Sequence, residues 1–198
     1  MDIAIEGRAR WENFRKAMLR LAEDPGDESG RLDSGAEALA KLIAFDDWLP
    51  DSFAASDPVR YQQHLLHRDP ANRLSVVSFV WGPGQATPIH DHTVWGLVGV
   101  LRGRETSQRY ARGRNGKLRA CAGLQIFEPG DIDRLSPSEG DIHKVTNIHD
   151  GISISIHIYG ADIGTVERSA FGTDGETHSF ISGYSHSRAP QDWTGNRL

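Results

Sequence analysis

The feature that most constrains this fold is a succession of short β-strand patterns that begins at Tyr61. From there onward, apolar residues alternate with polar ones or run in short stretches, and turn signals separate them. One of these signals, Asn115-Gly116, is a strong hairpin turn. Many short strands with scattered glycines favour a mainly β fold, a sandwich-like barrel of the jelly-roll kind. Such a barrel can hold a small ligand or a metal ion inside.

Helices are predicted before the first strand. Residues 10–24 have large apolar residues at helical spacing, and Pro25-Gly26 closes the helix. After a polar loop, Ser34 is expected to cap a second helix that ends near Pro50, and a third short helix is predicted over 51–56. The large apolar residues of the two longer helices are Trp11, Phe14, Met18 and Leu21, and then Leu39, Leu42 and Ile43. We expect these faces to pack on one side of the barrel.

The length of 198 residues predicts one domain. We expect a helical segment over 1–58, the barrel over 59–184 and an irregular tail over 185–198. The net charge of −5 and the lack of a basic stripe argue against a nucleic-acid partner. No segment has the apolar length of a signal core or a membrane span, so no membrane partner and a cytoplasmic location are expected. The single cysteine, Cys121, excludes an internal disulfide and is interpreted as a small apolar filler.

Histidines at alternate positions form the first chemical signal. His90 and His92 would point to the same face of an extended strand, whereas Asp91 between them would point away. Two such imidazoles make half of a metal site. A later stretch, which begins at Gly140, supplies His143 and Asn147 as candidate partners.

A second polar pattern lies on a later predicted strand. Ser155, His157 and Tyr159 share one strand face, and isoleucines at the alternate positions share the other. The polar face could line the barrel interior as a hydrogen-bonded relay, or it could be an ordinary outward face. The sequence leaves both interpretations open. A nucleophilic triad is not indicated, because no carboxylate orients the histidine.

These stretches together resemble the paired motifs of the cupin superfamily. The first motif is matched by Gly84, His90, His92 and the spacing from Gly96 to Gly103, and the second by Pro137, Gly140, His143 and Asn147, with one extra residue after the proline. The acidic metal ligand of the first motif is missing, because the next glutamate after His92 is Glu105.

Within the superfamily, the chain resembles the thiol dioxygenases from about Tyr61 to Tyr184. This family includes cysteine dioxygenase and the bacterial 3-mercaptopropionate dioxygenases, which are non-haem iron enzymes with a small cupin barrel. The resemblance implies Fe(II) as the cofactor and a small thiol and O2 as the partners. It also implies His90, His92 and His143 as the metal ligands. Ser155, His157 and Tyr159 would then form the catalytic outer network.

Differences within this family bear on the substrate. Gly96 falls where animal cysteine dioxygenase has the cysteine that crosslinks to the tyrosine, so Tyr159 is expected to stay uncrosslinked. Gln63, or Gln62 if the register shifts by one, replaces the arginine that holds the carboxylate of the amino acid. Arg168 matches the arginine thought to hold the substrate carboxylate in the bacterial subgroup, with the hydroxyl of Tyr159 as a further donor.

The expected reaction is therefore the oxidation of 3-mercaptopropionate to 3-sulfinopropionate. Three neutral imidazoles would leave the charge of Fe(II) uncompensated, which favours an anionic thiolate ligand. Zinc with an activated water is the alternative for the metal. Cysteine dioxygenase, another cupin enzyme such as a ring-cleaving dioxygenase or an isomerase, and a non-catalytic ligand-sensing cupin are the alternatives for the function.

Overall fold

The computed structural model describes residues 3–114, 116–172 and 176–185, which form two α-helices, a 3₁₀ turn and eleven β-strands. The helices are α1 (Ile3–Glu23) and α2 (Glu28–Ile43), and the 3₁₀ turn is Asp51–Phe53. The strands are β1 (Gln62–Arg68), β2 (Ser75–Trp81), β3 (Ile89–His90), β4 (Gly96–Arg102), β5 (Glu105–Arg112), β6 (Leu118–Phe127), β7 (Ile132–Leu135), β8 (His143–Asn147), β9 (Ser153–Tyr159), β10 (Arg168–Phe171) and β11 (Thr177–Phe180).

The strands form two antiparallel sheets. The first has the order β1-β2-β9-β4-β7, and the second has the order β11-β10-β3-β8-β5-β6. Strands distant in sequence lie side by side, since β9 pairs with both β2 and β4, and β3 pairs with both β8 and β10. This is the curled jelly-roll arrangement of the cupin barrel, and the predicted fold class is confirmed.

The helices cover the outer face of the five-stranded sheet, as the sequence predicts. Their buried apolar residues join Val76, Leu97 and the isoleucines of β9 in one core. Close approach of the two layers depends on Gly35 in α2, where an added Cβ would lie 2.7 Å from Leu97 Cδ1. A second core lies inside the barrel, where Val77 and Val98 of one sheet join Val145 of the other.

The predicted helix boundaries are partly wrong. The first helix begins at Ile3 rather than at residue 10, because its first turns do not need an apolar stripe: Ile5 is 66% exposed. The cap predicted at Ser34 is also wrong, since Ser34 lies inside α2. The side chain of Asp27 caps that helix instead and accepts a hydrogen bond from the Gly30 N–H at 2.9 Å. The helix predicted over 51–56 is the shorter 3₁₀ turn.

The interpretation of Cys121 as an apolar filler is wrong as well. Its side chain is exposed on β6, which lies at the edge of the six-stranded sheet. The Asn115-Gly116 turn falls between the paired strands β5 and β6, and Gly116 has φ of +78°, but Asn115 lies outside the described residues. Of the predicted tail, residues 186–198 lie outside them too. In the part of the chain that the structure describes, no helix combines the length and the apolar character needed to cross a membrane.

Candidate metal centre

The three histidines singled out by the sequence meet inside the barrel. One nitrogen from each of His90, His92 and His143 lies within 4.8 Å of the others, and all three side chains are buried. His90 ends β3 and faces His143 at the start of β8 in the register of the sheet. His92 lies in the loop after β3, so the expectation that both motif histidines share one strand is wrong, although their rings do converge, with centroids 4.7 Å apart.

Among the described residues, the hydrogen bonds that orient the cluster engage Nδ1 of each ring and not Nε2. His90 Nδ1 lies 3.1 Å from the Pro88 carbonyl, His92 Nδ1 lies 3.2 Å from the Asp141 carbonyl, and His143 Nδ1 lies 3.1 Å from Ser107 Oγ. A metal-binding histidine commonly engages its second nitrogen in this way, which fixes the ring orientation and the tautomer. Each Nε2 is therefore left for an ion. The donor set fits a divalent transition metal.

Burial keeps these imidazoles neutral. It lowers the pKa of His90 to about 4 and lowers the pKa values of His92 and His143 well below their ordinary value. Neighbouring rings of the cluster add to the effect for His92 and His143. A neutral imidazole has the lone pair that a metal requires, so the site needs no proton release to bind one.

A carboxylate that the sequence analysis did not single out holds the loop of His92. Asp141 Oδ2 accepts hydrogen bonds from the backbone N–H groups of His92 at 2.7 Å and Thr93 at 2.9 Å. Thr93 has φ of 60°, a left-handed conformation that a threonine rarely adopts. The side chain of Asp141 thus stabilises an unfavourable bend and places the imidazole of His92 in the cluster.

The polar face of β9 is buried. Of the two interpretations that the sequence leaves open, the structure has the hydrogen-bonded relay of Ser155, His157 and Tyr159 and not an outward face. Ser155 Oγ lies 2.9 Å from His157 Nε2, and His157 Nδ1 lies 2.8 Å from the Tyr159 hydroxyl. Trp81 Nε1 donates to Ser155 Oγ at 3.1 Å, and the Phe79 ring stacks on His157 with centroids 4.0 Å apart. The relay therefore has a fixed packing environment on one side of the histidine cluster.

Burial also sets the charge of the relay. It lowers the pKa of His157 to about 3 and raises the pKa of Tyr159 far above its ordinary value. Both groups are neutral across the physiological range. The Tyr159 ring stacks near His92 with centroids 5.6 Å apart, and Tyr159 lines the same cavity as the three histidines.

Gly96 lies directly against the tyrosine. It is the register partner of Tyr159 in the pairing of β4 with β9, and an added Cβ would lie 3.0 Å from Tyr159 Cδ1. The position therefore has a close ring neighbour but no side chain to bond to it. The expectation of an uncrosslinked tyrosine agrees with this arrangement.

The cluster and the relay face a cavity of about 440 Å³. Arg168 borders it from the start of β10, where it is only 5% exposed. Its Nη2 donates to Ser182 Oγ at 2.7 Å, and its guanidinium lies over the Phe180 ring at 4.7 Å. Its buried Nε–H has no hydrogen-bond partner among the described residues. A donor of this kind is suited to bind an anionic ligand.

The two candidate glutamines differ in position. Gln63 borders the cavity, whereas the side chain of Gln62 is turned to the Arg60 carbonyl, to which it donates at 3.1 Å. Arg60 borders the same cavity from an exposed position, which the sequence analysis missed because no periodic pattern distinguishes it from a surface arginine. Among the described residues that line the cavity, none is an aspartate or a glutamate. The described lining therefore carries the positive charge of Arg60 and Arg168.

A cupin barrel with three convergent, neutral imidazoles at a buried cavity defines this protein as a cupin with a candidate metal site. The model of the cysteine dioxygenase type I family matches residues 36–170, which is more than half of the chain. The chain belongs to that family. Its members are metal-dependent thiol dioxygenases, so the protein is assigned to this class of oxidoreductase at the level of the family.

Solved structures of other proteins resemble parts of the chain. A protein with a double-stranded β-helix domain from Klebsiella pneumoniae is 18% identical over 57% of this chain and 81% of its own, with a TM-score of 0.45. A cupin 2 conserved barrel domain protein from Salinispora arenicola is 19% identical over 56% of this chain and 83% of its own, with a TM-score of 0.41. A cupin superfamily protein from Desulfitobacterium hafniense is 14% identical over 60% and 94%, with a TM-score of 0.45.

Proposed function

We propose that this protein is an Fe(II)-dependent dioxygenase that converts 3-mercaptopropionate to 3-sulfinopropionate. The observation that carries the proposal is that one cavity is lined both by three converging imidazoles and by a buried arginine whose Nε–H has no partner among the described residues. The first group can hold a metal and the second a carboxylate. A short thiol with a carboxylate at its other end joins the two.

His90, His92 and His143 would hold the iron through Nε2. The metal would supply the site for the thiolate and for O2, and the electronic coupling by which both oxygen atoms are added to sulfur. The overall reaction is balanced without a further reductant: the thiolate and one O2 give the sulfinate, with sulfur giving up the four electrons that O2 takes. Zinc fits the same nitrogen ligands but cannot change its oxidation state.

The carboxylate end of the substrate would bind Arg168. A guanidinium can form two parallel hydrogen bonds to a carboxylate, and burial makes such a charged pair stronger than it is in water. The hydroxyl of Tyr159, held by His157, would be a further donor to the substrate carboxylate or to the reacting oxygen. The hydroxyl of Tyr159 would therefore contribute either to substrate binding or to the reaction at sulfur.

The composition of the cavity favours a substrate without an ammonium group. L-Cysteine carries an amino group that would be buried beside Arg168, and no carboxylate among the described lining residues could pair with it. Burying an unpaired charge costs several kcal/mol, on the order of what separates a good substrate from a poor one. 3-Mercaptopropionate avoids that cost because it has the same thiol and carboxylate without the amine.

The test is O2 consumption by the iron-loaded protein with 3-mercaptopropionate and, separately, with L-cysteine, together with identification of the product. We expect the sulfinate to form and kcat/KM to be at least about tenfold higher for 3-mercaptopropionate, which corresponds to about 1.4 kcal/mol. The zinc-loaded protein is the matched control and should consume no O2. A preference for cysteine would refute the substrate, and no uptake with either thiol in iron-loaded protein would refute the reaction.

A further inference from the structure

The segment of residues 181–185, which follows β11, contributes three side chains to the cavity of the candidate metal centre. Ser182, Tyr184 and Ser185 all line it. None of them belongs to the histidine cluster or to the relay of β9, and the proposed reaction gives them no role. The hydrogen bonds of this segment connect it to Arg168 and to two other parts of the cavity wall.

Two neighbouring residues hold the guanidinium of Arg168. Phe180 is the register partner of Arg168 in the pairing of β10 with β11, and the guanidinium lies over its ring, 4.7 Å from the centroid. Ser182 Oγ accepts a hydrogen bond from Arg168 Nη2 at 2.7 Å. A ring face attracts a cation without favouring one rotation of that cation over the ring, whereas a hydrogen bond is directional. Ser182 is therefore the contact that fixes where the other N–H groups point.

Strand pairing does not determine the position of Ser182. The pairing of β10 with β11 ends two residues before it, and Gly183 has φ of +62°, which ends the extended conformation. The Gly183 N–H donates to the Gly164 carbonyl at 3.1 Å. The Gln63 N–H donates to Ser185 Oγ at 2.8 Å, and the Ser185 N–H donates back to the Gln63 carbonyl at 2.9 Å. Hydrogen bonds to other elements thus hold the segment.

Tyr184 attaches the segment to the loop between β9 and β10. Its hydroxyl donates to Asp162 Oδ1 at 2.5 Å and accepts the Gly164 N–H at 3.0 Å. Asp162 is buried, and its other oxygen accepts a hydrogen bond from Arg68 at 3.2 Å. The tyrosine ring lies directly against Gly164, where an added Cβ would be 2.4 Å from Tyr184 Cε2. The attachment therefore requires glycine at this position.

We propose that Ser182 is a positioning residue that holds the Arg168 guanidinium ready for a substrate carboxylate, and that Tyr184 keeps Ser182 in place. The Nε–H of Arg168 has no hydrogen-bond partner among the described residues, and Nη2 carries a second hydrogen. Ordering a long side chain costs binding free energy, and the hydrogen bond to Ser182 orders this one before the ligand arrives. The inference deepens the proposed function and rests on it for the carboxylate.

Binding of propionate to the metal-free protein tests the proposal without any oxidation chemistry. Propionate has the carboxylate and the three-carbon chain of 3-mercaptopropionate but no thiol. The Nε–H signal of Arg168 is followed in ¹H–¹⁵N NMR spectra and is assigned from its loss in Arg168→Lys. We expect propionate to shift this signal in the native protein, and Ser182→Ala to raise the dissociation constant about fivefold, the effect of one hydrogen bond.

Two further variants separate positioning from a general loss of packing. Ser179→Ala is the matched control, because it removes an exposed hydroxyl of β11 that does not line the cavity, and it should keep the native dissociation constant. Gly164→Ala leaves the guanidinium and its serine unaltered but displaces the ring of Tyr184. It should therefore weaken propionate binding as Ser182→Ala does.

Kinetics of the iron-loaded protein give a second readout. Ser182→Ala should raise KM for 3-mercaptopropionate about fivefold, with kcat and iron content within about twofold of the native values, because the lost hydrogen bond acts at the carboxylate end of the substrate. A merely structural defect would instead reduce the amount of active protein, which lowers kcat and leaves KM unchanged.

Native propionate binding in Ser182→Ala would overturn the proposal, as would a native Arg168 signal that does not respond to propionate. Native binding in a folded Gly164→Ala variant would overturn the role of Tyr184. If that variant does not fold, the comparison of Ser182→Ala with Ser179→Ala still decides. If the iron-loaded protein oxidises no thiol, the proposed function fails while the propionate titration still measures the role of Ser182, so the two failures are distinguishable.

Discussion

Replacing Asp141 by alanine tests how the fold holds His92 in the candidate metal centre. The carboxylate accepts two backbone hydrogen bonds, at 2.7 and 2.9 Å, and is 7% exposed. Each hydrogen bond to a charged acceptor contributes about 1.5–3 kcal/mol. Because water can reach part of the vacated space, we expect the free energy of unfolding to fall by about 3 kcal/mol, near the lower end of the sum.

The effect on metal binding is a separate quantity. The Asp141 carbonyl, which lies 3.2 Å from His92 Nδ1, remains in the variant, so the ring keeps one of its constraints. Loss of a group that orients a metal ligand typically weakens metal affinity about 10–100-fold. We therefore expect the dissociation constant for Fe(II) or Co(II) to rise within that range, and to rise less in Asp141→Asn, which keeps a neutral acceptor.

Competition with a chelator measures the metal affinity, and denaturant unfolding of the metal-free protein measures the stability. The control is Asp57→Ala, since Asp57 Oδ1 also accepts two successive backbone N–H groups, from Val59 at 2.7 Å and Arg60 at 3.3 Å. It should leave the metal affinity unchanged. The argument is wrong if Asp141→Ala loses stability but binds metal as the native protein does.

Three further outcomes are expected. Ile156→Ala should lower the free energy of unfolding by about 2–5 kcal/mol in denaturant titrations, because the side chain is fully buried, whereas Ile126→Ala, at a site 57% exposed, should change it by less than about 0.5 kcal/mol. Arg168→Gln should raise KM for 3-mercaptopropionate about tenfold or more with unchanged iron content, and an unchanged KM would exclude this carboxylate clamp. The hydrogen bond from Arg73 lowers the pKa of Asp69 from 3.8 to about 2, so the native protein should lose stability as the pH falls through that interval, and Asp69→Asn should lose less of its stability there by thermal unfolding.

Strand alternation is what made much of this site predictable from the sequence. The period of two on β9 requires Ser155, His157 and Tyr159 to share a face, whatever lies around them. The three histidines could be proposed together because the motif spacing resembles that of a known family. Their convergence in space depends on the pairing of β3 with β8, which are far apart in the chain. Local pattern contains no information about such a pairing.

The errors have the same physical origin. The cap at Ser34 was a reasonable local choice, but Asp27 offers a charged acceptor earlier, and the glycine at 35 is tolerated because α2 contacts the sheet closely there. Asp141 was not assigned a role because it acts on partners more than forty residues away. Burial of a carboxyl group is decided by tertiary packing, which a single sequence does not display.

One strand, β9, separates the two halves of this molecule, and all seven of its residues are buried. Its isoleucines belong to the layer under the helices, while His157 and Tyr159 line the cavity. We expect few substitutions to be tolerated in this strand during evolution. Both of its faces are packed, so a change on one face can shift the strand and disturb the packing on the other. New substrate preferences would arise more readily at other lining positions of the cavity, where β1 and β10 contribute Gln63 and Arg168. The residues of β9 can stay constant while other residues that line the cavity diversify.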